Sequence, residues 1–199
     1  MIKKVNAIEV KTIFLGESGV GKTSLIKAAI DEKFDANEKT TGTSSFIEKS
    51  IKIDKKYYLI KLWDTIGQEK YRTLTKIFYK GSKIVILVYD ITRAKTFEEL
   101  NFWIDEVKNS LGDEPVYGIV GNKSDMYENE EINEEKARQF AFEKEIKFKL
   151  VSAKDNPKDF QLFLEELLKD YIEKSKGKIK DSDYVQIERK TISTKKGCC

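Results

Sequence analysis

Histidine is absent from the chain. No Ser-His-Asp triad, imidazole base or histidine metal site is open to it. Cysteine is confined to the last two positions, Cys198 and Cys199. With none in the body, internal disulfides and thiolate zinc sites are excluded. The longest uninterrupted apolar run, Ile84–Tyr89, is far too short to span a bilayer. Lys3 and Lys4 precede residues that alternate with charge, so no signal-peptide core follows them and the cytosolic side is the expected location. A large excess of one charge is also missing. The net charge is +3, and residues 175–199 alone carry +4, which leaves the body nearly neutral and argues against nucleic-acid binding.

What is present begins with Gly16-Glu17-Ser18-Gly19-Val20-Gly21-Lys22-Thr23, which fits G-x-x-x-x-G-K-[ST]. The apolar run Ile13-Phe14-Leu15 precedes it, and Leu25, Ile26, Ala29 and Ile30 follow at helical spacing, so the context is strand, loop, helix. Glycines there let successive N–H groups turn inward with no Cβ in the way, a cradle for phosphates. The helix start adds unsatisfied donors and partial positive charge. Lys22 is placed to reach the β- and γ-phosphates of a nucleotide, and the Thr23 hydroxyl to bind Mg²⁺.

The 199 residues suffice for one α/β domain and a tail. Residues 1–9 read as a loose lead-in, Val10–Leu15 as a strand, Lys22–Lys33 as a helix, and Phe34–Thr41 as a polar loop. Phe46–Ile53 and Tyr57–Trp63 alternate in hydropathy across the turn Asp54-Lys55-Lys56, which predicts an antiparallel hairpin. Ile84–Tyr89, Val116–Val120 and Ile146–Val151 read as further strands. Helical spacing runs over Phe97–Leu111, Asn133–Lys144 and Pro157–Lys174. The expected fold is α/β: a doubly wound, mostly parallel six-stranded sheet with one antiparallel strand and helices on both faces. Ligand is expected at the carboxyl ends of the strands. Residues 1–174 form the expected domain, and 175–199 a flexible tail without sustained apolar period.

The remaining motifs each follow a predicted strand. In Asp64-Thr65-Ile66-Gly67-Gln68, Asp64 is placed to hold Mg²⁺ through a water, the Gly67 N–H to donate to a γ-phosphate, and Gln68 to orient an attacking water. In Asn122-Lys123-Ser124-Asp125, the Asp125 carboxylate can accept from the ring N–H and exocyclic amine of guanine. Adenine offers neither, and would leave a buried charge unpaired. Lys123 would lie along the base, and Asn122 would tie this loop to the phosphate loop. Ser152-Ala153-Lys154 can supply a backbone N–H to the guanine carbonyl oxygen.

These motifs, in this order, resemble the Ras superfamily of small GTPases over about residues 8–174. Within it the chain looks most like a Rab, on Ser24-Leu25 after the phosphate loop, Tyr71-Arg72-Thr73-Leu74-Thr75, Tyr79-Lys80-Gly81 and Val88-Tyr89-Asp90-Ile91-Thr92. Between Asp125 and Asn133 there is no room for a Rho-type insertion, and Ile2 stands where an Arf would carry a myristoylated glycine. The resemblance implies GTP/GDP as ligand with Mg²⁺. It also implies two mobile switches, effector proteins, an exchange factor, a GTPase-activating protein and a GDP-dissociation inhibitor, and a monomeric protein. It places Phe34 against the guanine and a threonine on Mg²⁺ and the γ-phosphate. Thr40 and Thr41 both qualify, and the ungapped distance from Lys22 favours Thr41. Two positions depart from the family. Gly42 stands where the family has an effector-contacting Ile. Ile66 stands where it has Ala, which predicts slow intrinsic hydrolysis or altered exchange because a β-branched side chain crowds the turning peptide.

Cys198-Cys199 resembles the doubly geranylgeranylated end of many Rabs, with Lys195 and Lys196 beside it for an anionic leaflet. Two functions remain open on the residues alone. One is a GTP-hydrolysing switch in vesicle traffic. The other is a prenylated GTP-binding adaptor that barely hydrolyses and is controlled by exchange. A nucleoside kinase is disfavoured, since residues 94–154 hold only Arg138 and thus no arginine-rich lid.

Overall fold

A computed structural model describes residues 2–30, 45–65 and 78–190. Its strands are β1 Ile2–Leu15, β2 Ser45–Ile53, β3 Lys56–Asp64, β4 Ile84–Asp90, β5 Val116–Asn122, β6 Lys147–Leu150 and β7 Tyr184–Lys190. The α-helices, in chain order, are α1 Lys22–Ala29, α2 Ala94–Glu98, α3 Leu100–Leu111, α4 Glu134–Glu143 and α5 Pro157–Lys174. The sheet runs β2-β3-β1-β4-β5-β6, with β7 paired to β1. The six expected strands are all found, and the pairs from β3 through β6 are parallel.

The hairpin of β2 and β3 turns through Asp54 and Lys55, both at positive φ (46° and 68°), the twist a two-residue hairpin turn requires. β4 is buried along its whole length because both its faces are covered. Ile84, Ile86 and Val88 join the core under α1 and α5, with Leu25, Phe160 and Leu164. Val85, Leu87 and Tyr89 join the core under α2, α3 and α4, with Trp103, Val107 and Ala137. Chain order reverses between β1 and β4, and the loops leaving those two strands flank the switch point where such sheets bind ligand.

Two expectations are corrected. Residues 2–9 are not a loose lead-in, because they begin β1. The tail is not unstructured throughout, because Tyr184–Lys190 forms a seventh strand antiparallel to Ile2–Ile8. The two segments supply each other's backbone partners. β3 pairs with β1 only from Ala7 onward, so residues 2–6 have β7 alone as neighbour among the described residues. Val5 opposes Ile187 and Ala7 opposes Val185, apolar pairs sharing one face. β7 lies on the same edge of β1 as β4, lower along it, since β4 pairs from Thr12 upward.

A two-stranded ribbon of this kind is marginal alone and should open before the core. Consecutive strand residues aim their N–H groups at opposite edges, so the double change Gln186→Pro/Ile187→Pro removes a ladder donor in either register. Amide exchange over residues 3–6 is expected to rise to that of unpaired chain, with β4 and β5 unaffected. Continued protection of residues 3–6 in the variant would show that β7 does not hold them.

Candidate functional site

The phosphate-loop glycines take the conformations the sequence pattern demands, with φ of 142° at Gly16, 74° at Gly19 and 94° at Gly21. A Cβ on Gly21 would meet Asn122 Nδ2 at 2.2 Å. Lys22 opens α1 and is buried, its Nζ donating to the carbonyls of Gly16 and Glu17 at 2.9 Å each. Burial lowers its pKa to about 8, against the opposing pull of Asp64 and Glu17. An anion in the loop would relieve that desolvation.

Thr23 Oγ1 donates to Asp64 Oδ2 at 2.5 Å, joining the start of α1 to the end of β3. Beside them, Thr65 Oγ1 donates to the Phe14 carbonyl at 2.5 Å and pins the chain where it leaves β3. Among the described residues no group of three or more His, Cys, Asp or Glu could cage a metal. One carboxylate and one hydroxyl at a phosphate loop is the donor set that suits Mg²⁺, which keeps waters and takes phosphate oxygens.

The loop expected to read the base is tied to this centre. Asn122 Nδ2 donates to the Val20 carbonyl at 2.9 Å, across 102 residues of chain, and Asn122 Oδ1 accepts from Ala153 N at 3.2 Å. Asp125, with its side chain 10% exposed, accepts from Ser152 Oγ at 2.6 Å and lies 3.9 Å from Lys154 Nζ. Asp155 N in turn donates to Ser152 Oγ at 2.9 Å. The three expected strings thus meet at the upper ends of β1, β5 and β6, and each orients the next.

Lys123 sits at φ 67° with its Nζ 2.6 Å from Asp90 Oδ2. Asp90 and Arg93 were not singled out from the sequence as site residues. Asp90 is 1% exposed and also accepts from Thr92 N, Thr92 Oγ1 and Arg93 Nε at 3.0, 2.7 and 2.9 Å. Burial opposes its ionisation, but the hydrogen bonds from Lys123 and Thr92 outweigh this and hold the carboxyl below its usual range. The available signal was an acidic residue ending an all-apolar central strand. Phe34, Thr40, Thr41, Gly42, Ile66, Gly67, Gln68, Cys198 and Cys199 lie outside the described residues.

A second feature borders the expected switches. Phe46 and Trp63 stack with centroids 4.9 Å apart, and Trp63 lies 5.9 Å from Phe78. Phe46 is 45% exposed, although it is a large apolar side chain. In sequence, Trp63 stands three positions before residue 66, Phe78 directly follows residue 77, and Phe46 stands two positions after residue 44.

A glycine-rich loop at the switch point of a doubly wound sheet, tied through Asn122 to the loop that carries Asp125, is the arrangement of a phosphate-loop domain. The Ras family model matches residues 11–173. The chain is 38% identical over 158 residues to Ras-related protein Rab-21 of Geodia cydonium, covering 79% of this chain and 69% of that one. It is 36% identical over 194 residues to Ras-related protein RabC of Dictyostelium discoideum, covering 95% and 96%. It is 35% identical over 157 residues to human Ras-related protein Rab-22A, covering 79% and 81%. The chain belongs to the Rab family of Ras-superfamily small GTPases.

Proposed function

We propose that this protein is a guanine-nucleotide switch of membrane traffic that binds GTP with Mg²⁺ and hydrolyses it slowly. The observation that carries the reading is the hydrogen bond from Asn122 to Val20, which joins the base-reading loop to the phosphate loop. In this reading Ser18 to Ser24 hold the phosphates, Asp125 reads guanine, and Ser152, Ala153 and Lys154 close the base pocket. Thr23, Asp64 and Thr41 would hold Mg²⁺, which would supply neutralisation of phosphate charge when bound. Phe34 covers the base, and Gly67 and Gln68 attend the γ-phosphate and the attacking water. Ile66 slows the step, so turnover depends on an activating protein that brings a charge the site lacks.

The aromatic row of exposed Phe46 and half-buried Trp63 and Phe78 flanks both switch stretches in sequence, so it is where a partner would sense the nucleotide state. Counting phosphate released per bound GTP, with and without an activating protein, tests the enzyme. Fewer than one phosphate per site under every condition would leave the adaptor reading instead.

Lipidation at Cys198 and Cys199 would anchor the protein. β1 spans about 45 Å at the usual rise, and β7 runs back down it, so the end of β7 lies far from the phosphate loop. Nine residues then lead to Cys199, a covalent reach of about 30 Å. The lipids would therefore hold the end of the sheet opposite the nucleotide toward the bilayer. Replacing both cysteines with Ser is expected to move the protein from membranes to the soluble fraction. Persistent membrane association of that variant would contradict the anchor.

A further inference from the structure

Arg93 caps the start of α2, three residues beyond the end of β4. Its guanidinium makes two bonds in different directions. Nε donates to Asp90 Oδ2 at 2.9 Å, and Nη2 donates to the Ser18 carbonyl in the phosphate loop at 3.1 Å. The group lies against Gly19 as well, since a Cβ there would be 3.6 Å from Nη2. Its Asp90 partner is almost fully buried and already bound by Lys123 of the base-reading motif. A continuous chain of charge-assisted bonds therefore runs Lys123–Asp90–Arg93–Ser18. It lies alongside the Asn122–Val20 bond and ends two residues earlier in the loop.

The two cations around one carboxylate leave an excess positive charge beside the loop, and Arg93 is close enough to disfavour ionisation of Lys22. A planar fork sets donors on two separate edges of one rigid group, whereas an ammonium's donors all leave one atom, which would have to sit within reach of both acceptors. As the mere cap of a five-residue helix, Arg93 would have no reason to reach Ser18.

We propose that Arg93 is a positioning residue that holds the Ser18–Gly19 peptide of the phosphate loop against the end of β4 and so slows nucleotide release. The inference rests on the guanine-nucleotide reading above. It adds a contact that acts through the loop and touches no nucleotide.

The test uses the full-length protein, wild type, Arg93→Gln and Arg93→Lys, each loaded with a fluorescent GDP analogue and chased with unlabelled GDP. Loss of a charge-assisted bond of ordinary strength gives Arg93→Gln about tenfold faster release. Arg93→Lys, which keeps the charge and one of the two bonds, falls between it and wild type. Urea denaturation is expected to remain one cooperative transition, and amide exchange in β5 to stay at the wild-type rate. Release within twofold of wild type in Arg93→Gln would overturn the proposal, and so would faster release accompanied by equally quickened exchange in β5, the sign of general loosening. Amide exchange over residues 16–21 of the nucleotide-free protein gives an independent reading, expected to quicken in Arg93→Gln. If the wild type retained no guanine nucleotide, the functional reading would fail, and this exchange comparison would still decide the role of Arg93.

Discussion

Asp125→Ala is expected to weaken GDP and GTP binding by about three orders of magnitude. The carboxylate is nearly buried and oriented by the Ser152 hydroxyl, itself held by the Asp155 amide. Guanine would present two N–H groups to it. Hydrogen bonds to a charged group contribute roughly 1.5–3 kcal/mol each, so losing both costs about 3–6 kcal/mol, a factor of 10² to 10⁴. Alanine leaves the phosphate loop untouched, so the residual affinity should distinguish guanine from adenine far less, through the backbone N–H of the Ser152–Lys154 stretch alone. Fluorescence titration with both purine nucleotides checks this. Retention of the full guanine preference in the variant would remove Asp125 from the base-reading role.

Gly16→Ala is expected to be the most damaging single methyl in the phosphate loop. The added Cβ would sit 2.1 Å from the Val88 carbonyl oxygen and 3.2 Å from its carbon. These are backbone atoms of the central strand, which cannot swing aside as a side-chain tip can. The φ of 142° adds strain for any residue with a side chain. Overpacking and strain together cost about 3–5 kcal/mol, a large part of the stability of a domain this size. Urea denaturation should show a correspondingly lower midpoint, with nucleotide binding lost because the loop can no longer lie against β4. At Gly21 the same methyl would meet the Asn122 amide, a side chain able to retreat at the expense of its bond to Val20. The two substitutions should therefore differ, with Gly16 governing folding and Gly21 governing the tie between loops.

The sheet was legible because its strands advertise themselves. Ile84–Tyr89 is apolar throughout because helices cover both faces of β4, and Tyr58, Ile60 and Leu62 alternate because they turn toward one core. Much of the candidate site was legible because the chemistry expected of it restricts residue type. A phosphate loop needs glycines at fixed spacing and a base reader needs a carboxylate after a strand, so geometry constrains residue type. Asn122 was expected to bridge to the phosphate loop, and it does.

The misses have a common cause. β7 has only Val185 and Ile187 in alternation, too short a pattern to distinguish from chance, and its strand state depends on a partner almost the whole chain away. The lead-in was misread as loose because, among the described residues, Ile2–Asn6 pairs with that distant strand alone. Arg93 and Asp90 escaped because their roles lie in contacts between separate segments: Arg93 reaches Ser18 across 75 residues and Lys123 reaches Asp90 across 33. Lys123, which was expected along a base, holds its ammonium 2.6 Å from Asp90.

The most direct test of the whole account is purine selectivity, measured on the purified protein with Mg²⁺ by competing GTP, GDP and ATP against one fluorescent guanine nucleotide. GTP and GDP are expected to displace it with affinities at least about a thousandfold above that of ATP. Equal displacement by the adenine nucleotide, or no retention of guanine nucleotide at all, would contradict it.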